Sequence, residues 1–205
     1  MFIERPPKWF RFLFPGAVFR MPPGKEHPGK VYLTFDDGPI PEVTPWVLDV
    51  LDEYNVKATF FMVGQNIERH PDLLKEVLKR GHVAANHTLH HIRGFGISPE
   101  EYLADVEKCE RYLNSSIVRP PHGWLTPSQL KALKQKYKVV MYDLVTRDYS
   151  KKTKAEDVIK NVKKFTRDGS IIVFHDSLKS YDKLKKALPE SLEWLLSKGY
   201  KFSLL

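Results

Sequence analysis

The chain has 205 residues and a formal net charge of +8; 42% of its residues are hydrophobic and 28% are charged. This balance suits one compact globular domain and excludes a predominantly disordered chain. The single cysteine, Cys109, excludes an intrachain disulfide framework and is predicted to be a small buried side chain. The lysines fall mostly on polar faces of predicted helices without a nucleic-acid motif, so we expect no nucleic-acid partner.

Residues 1–29 form an aromatic and basic arm ahead of the predicted domain. Its longest uncharged run, residues 12–19, is interrupted by Pro15 and Gly16 and is too short to span a bilayer. Glu4 and the early prolines make a poor secretory signal. We therefore expect an arm packed on the domain, with peripheral membrane or cell-wall contact as the alternative, and a cytoplasmic or membrane-surface location.

Strands and helices alternate over residues 30–205. Short β-rich runs predict strands over 31–35, 58–63, 82–85, 117–119, 139–144, 170–174 and 201–205. Apolar residues at helical spacing predict helices over 44–54, 72–80, 127–137, 154–167 and 184–198, and a further helix that Ser98 caps. Several strands are continuously apolar, which is typical of a parallel sheet covered on both faces. The pattern predicts an α/β domain, either a βα barrel or a doubly wound sheet.

Ionisable side chains cluster directly after the predicted strands. In a βα barrel, active sites lie at the carboxyl ends of the strands. The residues at these positions are Asp36, Asp37, His87, His91, Arg119, His122, Asp148 and His175.

The adjacent pair Asp36 and Asp37 predicts a bound cation, because two neighbouring carboxylates repel each other unless one is neutralised. His87 and His91 are four residues apart and would face the same way on one helical turn. Two imidazoles and one carboxylate form a three-ligand set that leaves positions open for water and substrate, as in catalytic zinc sites. One aspartate would bind the metal and the other would be free to act as a base.

Five ordered motifs resemble those of the polysaccharide deacetylase family, also called the NodB-homology or carbohydrate esterase family 4 enzymes. They are TFDDGP (34–39), NHTLHH (86–91), RPPHG (119–123), RDY (147–149) and VFH (173–175). The resemblance covers residues 30–205 and implies a catalytic domain folded as a distorted (β/α) barrel of seven or eight strands. It also implies a metal-dependent hydrolase that removes N-acetyl groups from amino-sugar polymers or oligomers, of the chitooligosaccharide or peptidoglycan type.

The resemblance assigns roles position by position. It implies that Asp36 is the catalytic base and His175 the acid, while Arg119 orients the base and Asp148 pairs with the acid. The metal ligands that it implies are Asp37, His87 and His91, holding Zn²⁺ or, alternatively, Co²⁺ or Ni²⁺. The substrate-binding positions that we expect are Pro121, His122, Tyr149 and Val173, together with Trp124, for which stacking on a sugar ring and packing within the domain both stay open.

Four positions depart from the family pattern. His122 replaces the usual tyrosine, Val145 replaces an aspartate, Tyr149 replaces a tryptophan and Val173 replaces a leucine. None of these belongs to the implied metal, base or acid set, so the departures bear on substrate preference more than on activity.

Three other interpretations stay open at this stage. They are an O-acetyl esterase acting on an acetylated polysaccharide, a catalytically inactive relative that binds sugar, and a structural metal protein. The presence of the base, the ligands and the acid favours an enzyme. We expect a monomer whose partner is an acetylated carbohydrate.

Overall fold

The computed structural model describes residues 4–24 and 28–205. Its strands are β1 (Lys30–Asp36), β2 (Thr59–Met62), β3 (Val83–Asn86), β4 (Ile117–Val118), β5 (Lys138–Val139), β6 (Leu144–Val145), β7 (Ile171–His175) and β8 (Lys201–Phe202). Its helices are α1 (Lys8–Phe12), α2 (Thr44–Glu53), α3 (Gly64–Arg69), α4 (Pro71–Lys79), α5 (Pro99–Glu110), α6 (Pro127–Leu133), α7 (Ala155–Phe165) and α8 (Leu178–Ser197), with a 3₁₀ turn at Pro121–Gly123.

The strands form one parallel sheet in the order β5-β4-β3-β2-β1-β7-β6, with β8 paired to the start of β1. Helices cover this curved sheet, which confirms the predicted distorted (β/α) barrel. The register places Asp36 of β1 beside His175 of β7, and Met62 of β2 beside Asn86 of β3. The carboxyl ends of four neighbouring strands are therefore level, and the loops that leave them meet at one edge.

Apolar residues on the central strands hold this edge in place. Phe35 stacks between Phe60 and Phe174, with ring centroids 5.0 and 6.0 Å apart, and all three side chains are buried. Burying an aromatic side chain of this size stabilises the fold by about 1.5–3 kcal/mol. The strand that carries Asp36 is thus packed firmly against its two neighbours.

The single strand predicted over residues 139–144 is wrong. The structure forms β5 and β6 instead, and these two strands lie at opposite ends of the sheet order. Residues 140–143 cross the open side of the barrel between them, and the Met141 N–H donates to the Val18 carbonyl of the arm rather than to a strand. A continuous apolar run therefore marks a buried crossing here and not one strand.

Several helix bounds also differ from the sequence prediction. Helices α1 and α3 were not predicted, α6 ends at Leu133 rather than Tyr137, and α8 begins at Leu178 rather than Leu184. The predicted cap of α5 is confirmed, because Ser98 Oγ accepts from the Glu101 N–H and the Glu101 carboxylate accepts from the Ser98 N–H, each at 3.1 Å. Cys109 is fully buried on this helix, as predicted.

The arm packs across the open side of the barrel. Phe10, Phe14 and Phe19 are buried against a cluster that includes Leu133 and Met141. The backbone of Val18 bridges to Val140 after β5, and the Val145 N–H of β6 donates to the Glu4 carbonyl at 2.8 Å, so the arm contacts both margins of the gap. The division of the chain at residues 29 and 30 stays a prediction. Among the described residues, no helix is long and apolar enough to cross a bilayer.

A pair of substitutions tests whether the arm is part of the folded core. Phe14→Ala removes a side chain that is 3% exposed, and we expect it to lower the free energy of unfolding by about 3–5 kcal/mol. Phe12→Ala, its control from the same segment, removes a side chain that is 83% exposed and should change that energy by less than about 0.5 kcal/mol. Urea denaturation measures both, and equal effects would show that the arm is not packed as described.

Candidate active site

Asp36 ends β1 and is buried beside the guanidinium of Arg119. Arg119 Nη1 donates to Asp36 Oδ1 at 2.6 Å and to Thr34 Oγ1 at 2.8 Å, while Nη2 donates to the Met141 carbonyl at 3.1 Å. The guanidinium carbon also lies 3.9 Å from the centre of the Phe61 ring. Burial lowers the pKa of Arg119, and the Asp36 carboxylate offsets part of that effect. The Asp36 carboxylate is thus fixed in one orientation by a cation on one side.

Asp37 faces a different set of partners although it is the next residue. Its φ of +81° turns the chain sharply after β1. Its Oδ1 lies 3.0 Å from His91 Nε2 and 3.6 Å from His87 Nε2. Burial raises the pKa of Asp37, but its bonds with His87 and His91 outweigh burial and hold the pKa well below its usual range. The carboxylate is therefore ionised, and it faces two imidazoles.

His87 and His91 converge through a loop and not through a helical turn. Residues 87–91 are irregular, with positive φ at Thr88 and His91. The helical reasoning from the four-residue spacing was thus wrong, although the two rings do come together, with centroids 5.1 Å apart. His87 Nδ1 donates to the Arg119 carbonyl at 2.8 Å, which leaves Nε2 to face Asp37.

The three side chains fit a divalent metal. One donor atom from each of Asp37, His87 and His91 lies within 4.8 Å of the other two. A metal-binding histidine commonly donates its second ring N–H to a carbonyl, as His87 does here, and this bond fixes the ring and raises its basicity. Two nitrogens and one carboxylate oxygen suit zinc and leave coordination positions open.

Asp105 on α5 was not predicted as a site residue, yet it supports the loop that carries both histidines. Its Oδ1 accepts from the N–H groups of Leu89 at 2.8 Å and His90 at 3.1 Å, and its Oδ2 bonds to the His90 ring. One sequence signal was present, because Asp105 lies on the same face of α5 as the buried Tyr102 and Cys109. An acid on an apolar helix face requires partners, and here the partners are in the loop that carries His87 and His91.

His175 lies on the opposite side of Asp37 and is held by Asp148. Its Nδ1 is 2.8 Å from Asp148 Oδ1, and its backbone N–H donates to Oδ2 of the same carboxylate at 2.7 Å. Burial lowers the pKa of His175, but the charge and hydrogen bond of Asp148, with smaller effects from Asp37 and Asp36, raise it to about 9. The imidazole is therefore a cation near neutral pH. Asp148 binds its Nδ1, which leaves Nε2 as the ring nitrogen without a bond to Asp148.

Asp176 is a second supporting acid that the sequence analysis did not assign. It is fully buried, and it accepts from the Gly38 N–H at 3.1 Å and from Thr44 Oγ1 at 2.7 Å. Burial is the main cause that raises the pKa of Asp176 to about 8. A Cβ on Gly38 would lie 2.0 Å from Asp176 Oδ2, so only glycine fits there. Asp176 therefore fixes the turn that directs Asp37 at the histidines.

These side chains surround a cavity of about 170 Å³. Of the positions predicted from the sequence, its walls contain Asp36, Asp37, His87, His91, Arg119, His122, Tyr149, Val173 and His175. Asp148 lies behind His175, whereas Pro121 and Trp124 stand outside the walls. Six further wall residues were not predicted as site residues, namely Pro120, Gly123, Met141, Tyr142, Val145 and Lys179. Residues 140–143 reach the cavity because they cross the open side of the barrel.

Known proteins share this arrangement of motifs and fold. The polysaccharide deacetylase family model matches residues 24–141. A peptidoglycan-N-acetylglucosamine deacetylase of Bacillus cereus is 36% identical over 191 residues, which cover 87% of this chain and 68% of that protein. A chitooligosaccharide deacetylase of Rhizobium leguminosarum bv. trifolii is 33% identical over 160 residues, which cover 71% of each chain.

Comparison with solved structures also finds this family. The crystal structure of a peptidoglycan N-acetylglucosamine deacetylase superposes on this protein with a TM-score of 0.82 and 34% sequence identity, and the match covers 96% of this chain and 93% of the other. The sequence match and the fold agree over nearly the whole chain. The protein therefore belongs to the polysaccharide deacetylase family of hydrolases.

Proposed function

We propose that this protein is a metal-dependent deacetylase that removes N-acetyl groups from an amino-sugar polymer or oligomer of the peptidoglycan or chitooligosaccharide type. The observation that carries the proposal is the separation of two adjacent carboxylates, with Asp36 bonded to Arg119 and Asp37 facing His87 and His91. The similarity to deacetylases named for both substrates supports the choice of substrate class.

Asp37, His87 and His91 would hold the metal, for which zinc is our first choice and cobalt or nickel the alternatives. When bound, such an ion polarises the acetyl carbonyl and lowers the pKa of water. The backbone N–H of His122, at the cavity wall, is the donor that we expect to stabilise the developing oxyanion. Donors of this kind contribute about 3–4 kcal/mol each to the transition state.

Asp36 is the general base in this proposal. It accepts a hydrogen bond from Arg119 and takes a proton from the water whose oxygen attacks the acetyl carbon. Arg119 keeps the carboxylate turned toward the cavity and away from the position between Asp37 and the histidines. The arginine acts through Asp36 and is therefore a positioning residue.

His175 is the general acid. As the C–N bond breaks, its Nε2 proton passes to the departing nitrogen, and the products are acetate and a free amine. Asp148 stabilises the imidazolium before the transfer. An amine is a poor leaving group without this proton, whereas the alkoxide of an O-acetyl ester needs it less. The His175–Asp148 pair therefore favours N-deacetylation over the esterase alternative.

The metal set can be tested by metal analysis of purified protein. We expect one equivalent of zinc or cobalt to bind the wild type after stripping and reloading, and His87→Ala to lower the affinity steeply because it removes a ligand. His122→Ala is the matched control, since this exposed ring lies 4.8 Å from the His91 ring but is not in the ligand set. Loss of the metal in the control, or its retention in His87→Ala, would contradict the assignment.

Acetate release tests the activity itself. We expect release from N-acetylglucosamine oligomers or from peptidoglycan to cease on metal stripping and to return with zinc or cobalt. The His87→Ala protein, treated in the same way, should stay inactive. If metal-loaded protein instead releases acetate from acetylated xylan or simple esters alone, the esterase alternative replaces this proposal. No release from any of these substrates would indicate a sugar-binding relative.

The acid can be tested by its pH dependence. Because a raised pKa keeps His175 protonated to higher pH, activity should be lost above about pH 9, and Asp148→Asn should move that loss to lower pH. His175→Ala should lower turnover on an amide by about 10²- to 10⁴-fold and leave the metal content unchanged. Loss of the metal in His175→Ala would mean that this residue is a ligand, and an unmoved alkaline limb in Asp148→Asn would exclude His175 as the acid.

A further inference from the structure

Helix α1 and the residue after it present three neighbouring apolar side chains to solvent. Trp9, Phe12 and Leu13 are 62%, 83% and 51% exposed, although Phe10 between them is buried. The Phe10 ring contacts both Trp9 and Trp124, with centroids 6.0 and 5.9 Å away. Contiguous exposed apolar side chains of this kind mark an interaction surface in proteins.

A cationic groove lies directly beside this apolar surface. Its volume is about 370 Å³, and its walls contain Arg5, Lys8, Arg11, Arg20 and Arg167, together with two prolines. Asp143 pairs with Arg11 and Arg167, each at 2.7 Å, and its own side chain is fully buried. Five cationic side chains thus surround the groove, and one buried carboxylate, that of Asp143, pairs with two of them.

The charge balance in the groove favours an anionic ligand. The charges that act on Arg5 come from Arg167, Arg11 and Arg20 against Asp143, and burial together with these arginines lowers the pKa of Arg5. An anion with several oxygens would relieve this repulsion. Guanidinium groups bind phosphate through paired N–H donors, so a phosphate or phosphodiester is the chemical class that fits.

A second, mainly apolar groove adjoins the cationic groove, because Arg11 and Arg20 line both. Its other walls include Phe12, Phe14, Pro15 and Phe19. A site suited to phosphate therefore lies next to a site suited to hydrocarbon. A lipid headgroup region offers these two chemistries side by side, and aromatic and basic side chains are enriched where proteins meet it.

We propose that α1 and its two grooves bind the surface of an anionic phospholipid bilayer, with Trp9, Phe12 and Leu13 entering the headgroup region and the cationic groove binding lipid phosphates. Trp124 is 53% exposed, packs against the buried Phe10 ring beside this surface and follows the cavity-wall residues His122 and Gly123. Docking by this surface places the mouth of the active-site cavity next to the membrane. This inference concerns where the protein works, and it stands whether or not the deacetylase proposal holds.

Vesicle sedimentation of the full chain tests the inference. We expect binding to vesicles of phosphatidylcholine mixed with phosphatidylglycerol, weaker binding to phosphatidylcholine alone, and a decrease in high salt. The double variant Trp9→Ala/Phe12→Ala and the single variant Lys8→Glu should each bind at least about tenfold more weakly. These side chains are exposed, so circular dichroism should show both variants folded.

A matched control comes from α4, on which Leu78 is 51% exposed and the Lys75 side chain is 76% exposed. The double variant Lys75→Glu/Leu78→Ala should bind vesicles as the wild type does. Equal binding by the α1 variants and the control, or no binding to anionic vesicles, would overturn the inference. Binding of inorganic phosphate or diphosphate without vesicle binding would indicate a soluble phosphorylated ligand instead. The wild type could instead form dimers, show no vesicle binding, and lose the dimers in Trp9→Ala/Phe12→Ala. That result would make this surface an interface between two copies of the chain.

Discussion

The buried pair of Arg119 and Asp36 is the interaction on which the rest of the site depends. Two consecutive carboxylates at a strand end would repel each other, and burial would increase that cost. Arg119 relieves the repulsion by binding one of them, Asp36, while the other faces the histidines. The same residue also accepts the Nδ1–H of His87 through its carbonyl, so its side chain positions the proposed base and its backbone orients a proposed metal ligand. A shift of Arg119 would therefore disturb both halves of the site.

Backbone strain is concentrated around this pair. Among the described residues, five of the six non-glycine positions with positive φ belong to loops of the site, namely Asp37, Thr88, His91, His122 and Arg147. Such conformations cost free energy and persist only where surrounding contacts enforce them. Asp105 and Asp176 supply contacts of that kind, since each buried acid binds backbone N–H groups in a strained loop. The level ends of the parallel strands bring these loops together, and the buried acids fix their shapes.

The residues of the site were largely predictable from the sequence, whereas the contacts that hold them in place were not. Asp36, Asp37 and His175 follow short apolar strands, and strand ends meet at one edge of a parallel sheet. The spacing of His87 and His91 gave the right pair by a wrong argument, because a strained loop and not a helix joins them. Asp105 lies 15 residues from His90 along the chain, so its contact with the loop depends on how α5 packs.

The packing of the arm on the domain was predicted, but the place where it packs and the crossing residues beneath it escaped prediction for a related reason. Residues 139–144 are apolar enough for a strand, yet they cross the barrel because β5 and β6 lie at opposite ends of the sheet. The arm covers that crossing, and Arg11 reaches the buried Asp143 from it. Long-range packing of this kind leaves little periodicity in the sequence. It also explains why the same short segment both completes the core and presents the apolar surface of α1.

The most direct test of the account compares Asp36→Asn with Asp37→Asn, measuring zinc content and acetate release on the same protein samples. If Arg119 holds Asp36 as a base apart from the metal, Asp36→Asn keeps its zinc and loses turnover by about 10²-fold or more, while Asp37→Asn loses zinc and turnover together. Zinc lost from Asp36→Asn but retained in Asp37→Asn would reverse the two roles and contradict the account.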